Sequence, residues 1–250
     1  MHRPLGHPEC LRQFGDRRAA AALQDEQQSH QSFRPHLPDP AADGNLPDGL
    51  FLSPGVSVND ENNRDFLFLL GSARTGGNTE HLARRAAEKL PPGADQRWLR
   101  LRDLPLPAFE DIRHGSDGVY PQPTGHAKTL LDATLETTDL VIASPLYWYS
   151  VSASVKLYLD YWAGWMRVPG LDFRSRMAGK TLWAITALSE EDPAKASPLV
   201  DTLRSTADYL GMHWGGALLG YANRPGDIWR DGKALSKADS FFTSDYFRPN

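Results

Sequence analysis

From Arg64 onward the chain alternates short apolar runs with longer segments whose apolar residues recur at helical spacing. Residues 65–70 (DFLFLL) form one continuous apolar run closed by Gly71, the pattern of a strand buried on both faces of a parallel sheet. In residues 78–90, Leu82, Ala86 and Leu90 share a helical face with Ala83 and Ala87 beside it, and Pro91 stops the helix. Residues 96–101 predict a second strand, and the proline-rich 104–107 excludes a helix directly after it. A helix is predicted over 124–136 and a third strand over 139–144, ended by Pro145. Val151, Val155, Tyr158, Leu159 and Trp162 again stand at helical spacing. A fourth strand (180–187) is followed by a helix (198–210) that places Leu199, Leu203, Ala207 and Leu210 on one face, with Gly211 as C-cap. A fifth strand (214–221) and a last helix (233–242) complete the pattern. Five strands alternating with helices predict an α/β fold: an open parallel sheet, helices on both faces and right-handed crossovers.

Residues 1–63 break this pattern. They hold seven of the 19 prolines and none of the tryptophans, and include a polar run over 24–30 with no sustained period. Such a segment buries too little apolar surface to offset its ordering entropy, so a disordered N-terminal arm is expected before a domain at 64–250. Within the arm, the alanine-rich 17–28 is compatible with a short helix, and His7 and Cys10 match no metal-ligand spacing. Cys10 is the lone cysteine, which rules out a disulfide framework and fits a reducing compartment. A net charge of −4 favours no polyanion, so nucleic acid is not an expected partner. No run approaches the ~20 apolar residues of a membrane helix, and the early charges Arg3, Glu9 and Arg12 lead into no apolar segment. The expected location is the cytoplasm, without membrane insertion.

Open parallel sheets bind ligands beyond the C-terminal ends of their strands, where strand order reverses. The segment after the first strand reads Gly71-Ser72-Ala73-Arg74-Thr75-Gly76-Gly77-Asn78-Thr79 and opens a helix. Gly76 and Gly77 let an anion approach the main chain. Ser72, Asn78 and Thr79 bring side-chain donors, Arg74 a charged fork, and the helix N-terminus free N–H groups. The lysine of the Gly-x-x-x-x-Gly-Lys loop is missing, and Ala73 stands where Gly-x-Gly-x-x-Gly needs glycine. The donor set suits a phosphomonoester better than a buried pyrophosphate. A tight turn with Asn78 or Thr79 as helix cap would use the same residue types.

The segment after the third strand, Ser144-Pro145-Leu146-Tyr147-Trp148-Tyr149-Ser150, borders the same crevice if the third strand neighbours the first. Three consecutive aromatics are costly to expose unless they face a ligand or partner, and a flat heteroaromatic ring wants such a wall. Plugging the end of the helix layer is the plainer use of them. Lys156 and Asp160 stand four apart on one helical face, as an ordinary ion pair.

Ser72-x-Arg74-x-Gly76-Gly77-Asn78-Thr79 resembles the FMN phosphate signature of the NAD(P)H-dependent FMN reductases and related flavodoxin-like quinone reductases, and the likeness extends over roughly residues 64–230. Pro145-x-Tyr147-Trp148-x-Ser150 is similar to that family's isoalloxazine loop. The resemblance implies a flavodoxin-like three-layer sandwich with strand order 2-1-3-4-5. It implies FMN as cofactor, with Ser72, Arg74, Gly77, Asn78 and Thr79 on its phosphate and Pro145, Leu146, Tyr147 and Trp148 around its ring. Thr186, Ala187 and Ser189, after the fourth strand, would supply the third flavin loop, although the glycine frequent there in the family is missing. Tyr161 stands where the family often has arginine, and no cysteines follow Pro107 to ligate an iron–sulfur cluster.

The resemblance further implies an oxidoreductase passing electrons from NADPH or NADH through FMN to a small acceptor such as a quinone, a free flavin, or a nitro or azo compound. It also implies a homodimer, with residues 167–173 over the flavin and Trp162 and Trp165 near the interface. A flavodoxin-type electron carrier and an FMN-less binding module on the same fold are the rival readings. His81, His114, His126 and His213 show no metal-ligand spacing, and Gly-x-Ser-x-Gly does not occur.

Overall fold

The computed structural model describes residues 64–115 and 117–242, so the expected N-terminal arm, with its 17–28 segment, lies outside the described residues. The described chain runs β1 (Asp65–Leu70), α1 (Asn78–Ala87), β2 (Asp95–Arg100), α2 (Gly125–Glu136), β3 (Asp139–Ala143), α3 (Ala153–Trp165), α4 (Phe173–Met177), β4 (Thr181–Leu188), α5 (Ser197–Leu210), β5 (His213–Tyr221) and α6 (Gly232–Ala238). The five strands form one parallel sheet in the order β2-β1-β3-β4-β5, as expected.

Both sheet faces are covered, which is why the central strands are apolar without alternation. Phe66, Phe68 and Leu70 of β1, with Trp183 and Ile185 of β4, pack under Leu82, Ala83 and Ala86 of α1 and Ala234 and Ala238 of α6. Leu67, Leu69, Leu140, Ile142, Leu182 and Ala184 face the opposite layer, built from α2 to α5. β2 lies at a sheet edge, where its polar sequence DQRWLR leaves one side to solvent.

Two helices end earlier than their periodicity predicts. α1 stops at Ala87, and the N–H groups of Lys89 and Leu90 bond three residues back, tightening the chain before Pro91. After α6 the backbone makes similar single turns, and Phe242 closes over Phe66, Phe68 and Trp183. α4 was not expected; it seats Phe173 and Met177 in the core.

Candidate active site

The C-terminal ends of β1, β3, β4 and β5 finish side by side, and each releases a loop toward the same crevice. Gly71 hydrogen-bonds Ala143 O, Ser144 N donates to Ile185 O, and Ala222 N donates to Leu188 O. Gly71 leaves β1 so close to the start of α3 that an added Cβ would lie 2.4 Å from Val155 Cγ2 and 2.8 Å from Ser152 Oγ. Only glycine fits there. Ser152 caps α3, and Ser154 Oγ donates to Gly71 O, so the first and third loops are pinned together at their roots.

The phosphate loop turns on Gly76, whose φ of +63° belongs to the left-handed region. Gly77 is the N-cap of α1 and has no side chain to cap with. Ser72 Oγ accepts Arg74 N–H at 3.1 Å, and Arg102 Nη1 holds Ala73 O at 2.7 Å. The remaining stabilisation comes from Glu80, a buried carboxylate in the first turn of α1. It accepts Gly76 N–H at 2.9 Å and a two-pronged contact from Arg100, at the end of β2, at 2.5 and 2.6 Å. Arg84 joins it from the next turn at 2.9 Å. Burial alone would raise the Glu80 pKa; the bonds from Arg100, Gly76 and Arg84 outweigh it and bring the carboxyl down from 4.5 to about 2. The arrangement is a capping box displaced by one residue, reaching the residue before the N-cap.

With Gly76 N–H taken by Glu80, the N–H groups of Thr75, Gly77, Asn78 and Thr79 have no acceptor among the described residues, nor does the exposed Arg74 guanidinium meet a carboxylate. A helix N-terminus with unspent donors and a free guanidinium matches the chemistry of a phosphate monoester, so the donor set fits the phosphate of FMN.

Across the crevice, Tyr147 and Ser150 exchange two backbone bonds of 3.1 Å, enclosing a two-residue turn. Trp148 and Tyr149 occupy it with φ of +49° and +63°. Turns of this type are normally made by Asn-Gly, so two bulky L-residues here hold backbone strain. Its effect is to present Trp148 almost wholly to solvent, at 93% exposure, beside the crevice mouth.

The crevice encloses about 500 Å³, a size usual for cofactor sites. Ser72, Arg74, Gly77, Asn78, Thr79, Pro145, Leu146, Tyr147, Ala187 and Ser189 line it, so most of the residues expected from sequence meet there. Two do not. Trp148 lines a smaller annex with Tyr149, Glu190 and Lys195, which shares Leu146, Leu188 and Ser189 with the crevice wall. Thr186 is fully buried: β4 continues to Leu188, so side-chain alternation turns Thr186 to the face shared by Leu182 and Ala184, and Ala187 to the other. Residues 167–173 do not line the crevice, and Trp162 and Trp165 sit in the chain's own core at 3% exposure. Sequence reasoning missed Glu80 and the loop after β5, where Ala222, Asn223 and Pro225 form a third wall. The Pro225-Gly226 pair just beyond a predicted strand end was a signal for that loop. Among the described residues no group of three His, Cys, Asp or Glu could hold a metal, and no helix is long and apolar enough to cross a membrane.

Comparison with known proteins gives the family and the fold. The family model of the NADPH-dependent FMN reductases matches residues 65–218. A Bacillus subtilis (strain 168) protein named "Putative NAD(P)H-dependent FMN-containing oxidoreductase YwqN" is 34% identical over 169 residues, covering 67% of this chain and 91% of its own length. Among solved structures, a Trp repressor binding protein from Bacillus subtilis superposes with a TM-score of 0.58 at 28% identity, over 72% of this chain and 98% of that one. An NAD(P)H:quinone oxidoreductase from Methanothermobacter marburgensis, at 13% identity and a TM-score of 0.50 over 74% of this chain and 97% of that one, shares the fold. The match runs from β1 into β5 and takes in the phosphate loop and the aromatic turn, so the chain belongs to the NADPH-dependent FMN reductase family, oxidoreductases that work with FMN and NAD(P)H.

Proposed function

We propose that this chain passes electrons from NAD(P)H through FMN to a quinone, a flavin or a similar small acceptor. The observation that carries the reading is the two-ended crevice: unspent anion donors at the β1 end, and an open aromatic turn at the β3 end. Arg74, Ser72, Thr79 and the N–H groups of residues 75 and 77–79 hold the phosphate. Pro145, Leu146, Tyr147 and Ala187 give the ring an apolar wall that limits water on one side. When bound, FMN would supply the redox chemistry, as a two-electron carrier between nicotinamide and acceptor. No side chain has to act as acid or base; the protein's task is placement.

The named Bacillus subtilis relative, described as NAD(P)H-dependent and FMN-containing, supports this assignment. The test is the visible spectrum of the purified protein, followed anaerobically. Flavin absorbance that bleaches on adding NADPH or NADH and returns on adding a quinone is the expected result. Bleaching without turnover on any quinone or flavin would leave an electron carrier instead, and a colourless protein that takes up no FMN would overturn the reading. In the same assay Arg74→Ala should weaken FMN binding by about 10- to 100-fold, the value of one charge-assisted hydrogen bond.

A further inference from the structure

The family resemblance places Asn78 on the FMN phosphate, yet its side chain is already engaged. Nδ2 donates to Arg224 O at 2.9 Å, and Oδ1 accepts Gly226 N–H at 2.9 Å. The two bonds fix the amide's orientation without ambiguity, because a backbone N–H needs the oxygen and a backbone carbonyl needs the nitrogen. Both partners belong to the loop after β5, the segment whose Ala222, Asn223 and Pro225 form the third wall of the crevice. Outside Asn78 the loop is tied at its root, where Ala222 N–H donates to Leu188 O, and at its far end, where Asp227 N–H donates to Arg224 O and Ile228 is buried in the core; Asn78 holds the stretch between. Arg224 N–H donates to Asp227 Oδ2, and Gly226 sits at a φ of +84°, with its N–H on Asn78 Oδ1.

We infer that Asn78 is a positioning residue: it latches the loop after β5 onto the first turn of α1 and so sets the width of the crevice at its phosphate end. The inference rests on the assignment of the crevice to FMN, but the latch exists in the protein without the cofactor. One Nδ2 hydrogen is left over by the latch, so the experiment has to separate a latch from a direct phosphate contact. The two roles differ in what they affect. A phosphate ligand acts on FMN alone and leaves the distant loop unchanged. A latch acts on the loop first, and through the wall on any flavin, phosphorylated or not.

The test compares the full-length wild-type chain with Asn78→Ala and Asn78→Asp. Amide hydrogen exchange is measured by NMR without added flavin, and FMN and riboflavin affinities by fluorescence titration. In Asn78→Ala the Gly226 amide should exchange about tenfold faster or more, the factor that one net hydrogen bond supplies. FMN and riboflavin should lose affinity by similar factors. Asn78→Asp keeps an oxygen for Gly226 N–H and places a favourable negative charge in the first helical turn, so it should fold and retain Gly226 protection. Unchanged exchange in Asn78→Ala, equal loss of protection in both variants, or an affinity loss confined to FMN would each overturn the latch. If the wild type binds neither flavin, the cofactor assignment fails, while the exchange comparison still decides whether Asn78 holds the loop.

Discussion

Replacing Glu80 by glutamine removes a charge from beneath the phosphate loop while leaving an oxygen for Gly76 N–H. Glu80 is 4% exposed, but Arg100 is 22% and Arg84 48% exposed, so solvent screens part of the attraction. A carboxyl titrating at about 2 instead of 4.5 corresponds to about 3 kcal/mol at neutral pH, at 1.36 kcal/mol for each tenfold change in acidity, and screening of the exposed guanidinium partners reduces this to about 1–3 kcal/mol. The sign follows from the direction: the folded pKa lies below the unfolded one, so the contribution is complete above pH 4.5 and is lost as pH falls from 4.5 toward 2. Other carboxylates also titrate in that range, and the glutamine variant retains them all. The difference between the two proteins therefore isolates Glu80. Urea unfolding followed by tryptophan fluorescence should find Glu80→Gln less stable by about 1–3 kcal/mol at pH 7, with the gap closing as the pH approaches 2. A gap that stays constant through acid, or no gap at pH 7, would refute the argument that Glu80 stabilises as a charge.

Gly71→Ala should cost about 1–3 kcal/mol, because the new methyl meets Val155 and Ser152 where neither the α3 cap nor the strand can yield; an unchanged melting temperature would show that α3 shifts freely. Tyr149→Gly should raise stability by about 1 kcal/mol by relieving a left-handed L-residue, and a lowered melting temperature would mean that the tyrosine's contacts outweigh its backbone strain.

The parts of the fold that were legible in the sequence are those buried on two faces. β1, β3 and β4 read as strands because every position faces a helix layer, so one-dimensional hydrophobicity carries the signal. β2 was shifted by a residue, 96–101 against Asp95–Arg100, because an edge strand holds charges such as Asp95 and Arg97 that blur its ends. Helix ends were overextended where apolar residues continue past the last turn: Leu90 and Phe242 still face the core, but from single turns and not from helix. In the site, local chemistry was legible and distant partners were not. Gly76, Gly77 and the donors around them announce an anion loop within eight residues. Nothing in that stretch says that Glu80 will meet Arg100, or Asn78 the carbonyl of Arg224, because those meetings depend on strand order and register. Thr186 was misplaced for a related reason: where β4 ends decides which side chain turns toward the crevice.

These distant partners also explain how a chain with a net charge of −4 can attract an anion at this point. The first turn of α1 carries one carboxylate, Glu80, and it is directed inward to Gly76, Arg84 and Arg100. Two guanidinium groups against that carboxylate leave the cluster with one positive charge, and Arg74, which meets no carboxylate among the described residues, adds a second on the crevice side. The helix N-terminus contributes further partial charge of the same sign. A dianionic phosphate thus meets a local field opposite to that of the whole molecule. The Glu80 network makes the loop rigid without spending the donors a phosphate needs. On this reasoning an acidic residue at the entrance to an anion site is part of how the site works: neutralised from behind by Arg100, it orders Gly76 and leaves the outward N–H groups unpaired.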